Sequence, residues 1–338
     1  MFNVIGVDLG GTNYRVGLFD HEGRRLMVVE EPTDRAGGRE WMLEQIRRHA
    51  SALAEKSDFP IRACGFSFGG PVDFAGQKVT SLHVPGWNDF EMARWAQEAL
   101  GLESRVDNDA NAAAWGEFRF GAGRGSRSIF YVTLSTGIGG GFVLEGKPFR
   151  GKDSLAGELG HIPVSDAGVV CSCGGRGCLE TFCSATAIAL RGRGLAERKP
   201  ETLPRVLELS GGDPQRVTAA HVFQAAAQGE TGAVYIVREA ARWLARGLLM
   251  VIRLVNPDRI VLGGGVAKAG NTLLDPVRQS IEEMGSPAFR TTTEVRQAEL
   301  GDYSPLYGAA GLALELVTTL PHPGPLPRAG EKGPQGVG

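Results

Sequence analysis

Near its start the chain alternates apolar bursts with glycine-rich breaks, a pattern of strands and turns. Val4 to Leu9, Tyr14 to Asp20 and Leu26 to Glu31 read as three strands, with Gly10-Gly11 in the first turn and His21-Glu22-Gly23 in the second. Gly37-Gly38 precedes a helix from about Arg39 to Glu55, with Trp41, Ile46 and Leu53 among its apolar positions. Ile61 to Phe68 reads as a buried strand that stops at Gly69-Gly70-Pro71. Glu91 to Leu100 reads as a short amphipathic helix, Ser104 to Val106 as a strand and Ala112 to Phe120 as a helix. This order predicts a mixed sheet with covering helices.

A second region opens near Ser128. Ser184 is placed to cap a helix ending near Arg198, and Thr218 to cap a small helix around His221 to Ala227. Glu230 to Val255 has helical periodicity and stops at Asn256-Pro257. Arg259 to Leu262 reads as a strand meeting Gly263-Gly264-Gly265, followed by a helix from Leu273 to Met284. Ser304-Pro305 reads as an N-cap and first-turn proline for a helix from Leu306 to Leu316.

Two stretches match each other. Val7-Asp8-Leu9-Gly10-Gly11-Thr12-Asn13 joins two strands through a tight turn, and Val132-Thr133-Leu134-Ser135-Thr136-Gly137 enters Gly139-Gly140-Gly141 and another apolar run in the same way. Glycines allow close approach of a ligand to the backbone, and amides with Thr12 can donate to phosphate oxygens. Asp8 aligns with Thr133, so only the first copy offers a carboxylate suited to Mg²⁺. One such hairpin is equally an ordinary turn; two suggest related domains facing one phosphate chain. No GxxxxGK[ST] occurs, and no GxGxxG opens a helix after a strand.

Composition adds limits. The 338 residues suit two domains with sizeable cores. The 49 glycines are about twice the usual share of ~7% and gather in these turns. A net charge of −2 gives no electrostatic footprint for nucleic acid. With no charged-then-apolar leader and no apolar stretch of about 18 residues, neither export nor membrane spanning is expected. Five cysteines argue against a disulfide scaffold, which points to a reducing cytoplasm. From Leu320 to Gly338 proline and glycine dominate, and disorder is expected.

Arg105-Val106-Asp107-Asn108-Asp109-Ala110-Asn111 stands where a strand hands over to a helix. Asp109 would cap that helix, a purely structural role. A carboxylate at a helix N-terminus is also kept ionised by the dipole, and an ionised carboxylate accepts a hydroxyl proton during attack on phosphorus. Residues alone leave cap and base equally open. Cys171, Cys173 and Cys178, with His161 ten residues upstream of the first, offer three thiolates and an imidazole, a set suited to structural Zn²⁺ rather than to a disulfide or inert thiols. Cys64 and Cys183 read as small buried apolar residues.

The Asp8–Thr12 loop, Asn108-Asp109-Ala110-Asn111, the Thr136 to Gly141 loop and Gly157-Glu158-Leu159-Gly160-His161 resemble, in this order, the motifs of the ROK family of repressors, open-reading-frame proteins and sugar kinases. The resemblance covers about Val4 to Leu316 and is strongest to its bacterial glucokinases. It implies an α/β, two-domain sugar kinase, hexokinase and actin-like fold with ribonuclease-H-like halves and an interdomain cleft. The domains expected are 1–115 with 305–319, and 116–304.

The resemblance also implies roles. Asp109 matches the general base for a sugar 6-hydroxyl, and Asn108, Glu158, His161 and Glu180 match contacts to the sugar. Gly70 lies in a loop lining the sugar pocket. Gly10, Gly11, Thr12, Thr136, Gly137 and Gly139 would contact nucleotide phosphates, and Gly264 and Gly265 the adenosine side, where a plain strand-end turn is the alternative. The zinc motif matches at His161, Cys171, Cys173 and Cys178, with the second imidazole nitrogen free for the sugar. Many members have Asn where His83 stands, which weakens the choice of sugar. The implied activity is ATP- and Mg²⁺-dependent phosphorylation of a hexose, foremost D-glucose, by a homo-oligomer, with a dimer expected. Alternatives are kinases for N-acetylglucosamine, N-acetylmannosamine or fructose, a sugar-sensing repressor without its DNA-binding segment, and an actin-like ATPase; polyphosphate is an alternative donor.

Overall fold

The computed structural model describes residues 1–81, 84–166 and 168–319. The expectations for His83 and for residues 320–338 lie outside them.

Strands β1 (Asn3–Leu9), β2 (Asn13–Asp20) and β3 (Arg25–Pro32) form an antiparallel ribbon, as their turn glycines predict. Helix α1 (Gly38–Glu55) leads to β4 (Ile61–Phe68), parallel to β1. A small sheet follows, β5 (Val72–Asp73), β6 (Lys78–Val79) and β7 (Phe90–Glu91). Then come α2 (Met92–Leu100), β8 (Glu103–Asn108) and α3 (Asp109–Phe120). The first sheet runs β3-β2-β1-β4-β8.

The second sheet repeats this plan. β9 (Ile129–Leu134), β10 (Ile138–Leu144) and β11 (Lys147–Phe149) are antiparallel; β12 (Arg259–Gly263) and β13 (Glu294–Gln297) add in parallel, giving β11-β10-β9-β12-β13. Helices α4 (Glu180–Cys183), α5 (Ala185–Arg198), α6 (Pro204–Leu209), α7 (Ala219–Ala227) and α8 (Thr231–Leu254) lie between β11 and β12. α9 (Asn271–Met284) precedes β13, and α10 (Ser304–Thr319) follows it. The matched hairpins are therefore corresponding parts of two like-built sheets.

Period-two alternation accounts for the layers. In β1, Ile5 and Val7 pack with α1 residues such as Met42 and Ile46, whereas Val4 packs with Leu306 and Ala310 of α10. In β9, Phe130 and Val132 face α7 and α8, whereas Ile129 and Tyr131 face Trp115 of α3 and Leu312 of α10. α3 and α10 thus pack together between the sheets. Their approach needs glycine: a β-carbon at Gly308 would overlap the Ala112 carbonyl oxygen, and one at Gly65 that of Ala309.

Ser184 and Thr218 cap α5 and α7 as expected. Ser304 does not cap α10. A 3₁₀ turn, Gly301–Tyr303, runs directly into that helix, Ser304 itself has helical φ and ψ of −51° and −45°, and its hydroxyl donates to the buried Glu117 carboxylate at 2.6 Å. Strand β8 is longer than Ser104 to Val106 because it pairs with β4 through Asn108. Cys64 and Cys183 are buried. Among the described residues no helix is long and apolar enough to cross a membrane.

Candidate active site

The β8–α3 junction holds Asn108 and the candidate base Asp109. Asn108, with extended φ and ψ, is the N-cap of α3; its Oδ1 accepts from the Ala110 amide at 2.9 Å. This corrects the expected cap: Asp109 is the first helical residue, because β8 continues through Asn108 before the backbone turns. Asn108 Nδ2 donates to the Gly70 carbonyl at 3.1 Å. Both ends of that amide are thus anchored by the protein, with the second Nδ2 hydrogen left over for the sugar contact inferred from the family. Asp109 Oδ1 also accepts from the Ala110 amide at 2.9 Å.

Asp109 opens into a cleft of about 990 Å³. Gly10, Gly11, Thr12 and Gly70 line one side and Thr136, Gly137, Cys171 and Glu180 the other. Burial first, then the negative charge of Asp8, pushes the Asp109 carboxyl up to about 6; the Ala110 amide opposes this and Glu158 adds to it. The exposed Glu158 thus acts on Asp109 through its charge.

Other expected site residues, Glu158 and His161 among them, lie outside this lining. Asp8 is buried beneath it, with Oδ2 on Arg15 at 3.0 Å and Oδ1 on the Ser67 hydroxyl at 3.0 Å. Burial raises the Asp8 carboxyl despite these partners. Asn108 stands behind the Gly70 carbonyl. A β-carbon at Gly139 would meet Thr133 and Ala110, and one at Gly264 the Leu134 backbone. Gly265 starts the 3₁₀ turn Val266–Ala269.

The first hairpin turn is held through its carbonyls, the second through one carbonyl and one amide. Thr33 Oγ1 donates to Gly10 at 2.8 Å, the Thr33 amide to Thr12 at 2.8 Å and Arg35 Nε to Gly11 at 2.6 Å. On the other side, Thr186 Oγ1 donates to the Thr136 carbonyl at 2.8 Å, and the Ile138 amide donates to Glu180 Oε2 at 2.9 Å. The first loop, tied by its carbonyls, leaves amides for an anion, whereas in the second the Ile138 amide is taken by Glu180. The reading of the chain missed Arg15, Thr33, Arg35 and Ser67. Arg15 was within reach, since the β1–β2 register sets it opposite Asp8.

His161, Cys171, Cys173 and Cys178 bring their ligand atoms within 4.8 Å of one another. Cys173 Sγ and Cys178 Sγ are 3.7 Å apart, and Cys171 Sγ is 3.6 Å from His161 Nδ1. Those separations match the edges of a tetrahedron with metal–sulfur bonds of about 2.3 Å and metal–nitrogen bonds of about 2.0 Å. With Nδ1 turned to the thiols, Nε2 is the second nitrogen.

A sequence model of the ROK family matches residues 4–316. The chain is 36% identical over 315 residues to the glucokinase of Streptomyces coelicolor, covering 92% of this chain and 97% of that one. It is 36% identical over 316 residues to the glucokinase of Thermotoga maritima, covering 93% and 98%. The crystal structure of a ROK family glucokinase from Streptomyces griseus, in complex with glucose and AMPPNP, matches with a TM-score of 0.80 at 35% identity, covering 93% of this chain and 99% of that one. The fold is the actin-like fold of these sugar kinases.

Proposed function

Because this chain belongs to the ROK family, we propose that it is an ATP-dependent glucokinase transferring the terminal phosphoryl group to the 6-hydroxyl of D-glucose. The observation that carries the reading is the lining of one cleft by Asp109 and by both glycine hairpins.

The hairpin turns at Gly10–Thr12 and Thr136–Gly137 hold the donor phosphates from two sides. The half-buried Asp109 carboxylate at the cleft wall takes the hydroxyl proton as the sugar oxygen attacks phosphorus, an effect typically worth ~10²–10⁴-fold. Alignment of donor and acceptor supplies much of the remaining acceleration. Glu158, His161 Nε2 and Glu180 orient the sugar. Gly139, Gly264 and Gly265 serve the nucleotide from behind the second hairpin. Mg²⁺ on the phosphates lowers their charge when bound; Asp8, already engaged by Arg15 and Ser67, would hold it through water. His161, Cys171, Cys173 and Cys178 would hold a structural zinc ion, which would fix the pocket wall at Cys171; the fit rests on the tetrahedral separations.

We take residues 1–115 with 305–319 as one domain and 116–304 as the other, each built on one sheet, closing on the sugar and excluding water as a rival acceptor. Free cysteines fit a cytoplasmic setting. A homodimer is carried by the family resemblance, and light scattering tests it. A coupled assay across donors (ATP, polyphosphate) and sugars (glucose, mannose, fructose, N-acetylglucosamine, N-acetylmannosamine) tests the function. Highest kcat/KM is expected for ATP with glucose; ATP consumption indifferent to every sugar would overturn it.

A further inference from the structure

Arg150, just past β11 at the edge of the second sheet, reaches across to Asp107 in the first. Its Nε and one terminal nitrogen bond Asp107 Oδ2 at 2.7 and 2.6 Å. The other oxygen, Oδ1, accepts from the Asn108 amide at 2.9 Å and from Asn111 Nδ2 at 3.2 Å. Asp107 is 2% exposed. The guanidinium also lies over the Phe74 ring, 3.5 Å from its centroid, between β5 and β6. Its backbone carbonyl accepts from the Ala156 amide at 3.0 Å, which closes the loop leading to Gly157, Glu158 and His161.

One residue therefore holds two things. Its side chain fixes the turn that aims Asp109, two residues after Asp107. Its main chain starts the loop that presents Glu158 and His161. Burying an ion pair is a poor way to gain stability, since desolvation offsets the attraction. A guanidinium fork does set geometry, because it has fixed directions and little freedom.

We propose that Arg150 is a positioning residue for phosphoryl transfer. Through Asp107 and the 151–156 loop it keeps the base and the sugar contacts in one relative geometry. The proposal rests on the reading of Asp109 as the base.

The test uses Arg150→Lys and the double variant Asp107→Asn/Arg150→Met, which leaves no unpaired buried charge. Steady-state kinetics are measured well below each melting midpoint, with Asp109→Asn alongside. For the double variant kcat/KM for glucose is expected to fall about 10²-fold, the size of a small misplacement of reacting groups. Its KM for ATP and its melting midpoint should stay near the parent's, a split that a merely structural pair would not produce. Arg150→Lys, which keeps the charge and loses the fork, should fall about tenfold. Parental kcat/KM in the double variant, with Asp109→Asn inactive, overturns the proposal alone. A kcat/KM loss matched by an equal rise in the KM for ATP or by a collapsed midpoint also overturns it. Turnover retained in Asp109→Asn overturns the base assignment and the proposal together. If the double variant fails to fold, parental kcat in Arg150→Lys overturns it.

Discussion

Glu180 Oε2 accepts a hydrogen bond from the Ile138 amide at 2.9 Å. That bond joins the cysteine-rich loop to the second glycine hairpin. Its other oxygen lies 3.5 Å from the Ser172 hydroxyl and 3.8 Å from Cys171 Sγ. The residue read as a sugar contact thus also supports the second hairpin. A hydrogen bond to a charged acceptor contributes about 1.5–3 kcal/mol. Glu180→Ala should lose about 2 kcal/mol by denaturant titration and raise KM for both ATP and glucose. Glu180→Gln keeps an acceptor for Ile138 and should keep most of the stability. A rise in the glucose KM alone would show that the bond to Ile138 is idle.

Replacing Asp109 should separate activity from stability. Asp109→Asn should bind sugar and nucleotide yet lose ~10²–10⁴-fold in kcat. It should also be the more stable protein at pH 8. Folding lifts this carboxyl from 3.8 to about 6, so the folded state takes up a proton between those values and its stability falls as pH rises through them. The cost above about pH 6 is at most about 3 kcal/mol, and it vanishes below about pH 4. Melting curves of both proteins at pH 4 and pH 8 check this; equal midpoints at pH 8 would contradict it.

The same carboxyl should set the acid limb of activity. Only its ionised form takes a proton, so kcat/KM should drop as pH falls through about 6. Glu158 raises the Asp109 carboxyl by charge, and Glu158→Gln should move the limb to lower pH whatever it does to the maximum. A pH–rate profile that keeps its midpoint would show that Glu158 does not act through Asp109.

Metal removal should loosen the wall of the pocket. Elemental analysis should find about one zinc per chain, as a three-cysteine, one-histidine set requires. Chelation should lower the melting midpoint and the kcat together, and zinc should restore both. Full activity in protein shown to be metal-free would remove the zinc assignment.

Legibility in the sequence followed the range of the forces involved. The caps at Ser184 and Thr218 were legible because a hydroxyl reaches an amide three residues on. The cap of α3 was misread by one residue because the end of β8 depends on its pairing with β4, a distant strand. Ser304 was misread because its hydroxyl turns to Glu117, far away in the chain. The cysteine set could be read from spacing, but which imidazole nitrogen faces the thiols could not.

Side-chain periodicity, turn glycines and short ligand spacings act within a few residues, and they alone determined the longer strands, most helices, the twin hairpins and the candidate metal set, but not the short strands β5, β6, β7, β11 and β13. Tertiary structure decided the rest: the engagement of Asp8 by Arg15 and Ser67, the grip of Arg150 on Asp107, and the raised carboxyl of Asp109. Burial and electric field at an atom come from whatever surrounds it in space, and those neighbours are assembled only when the chain folds.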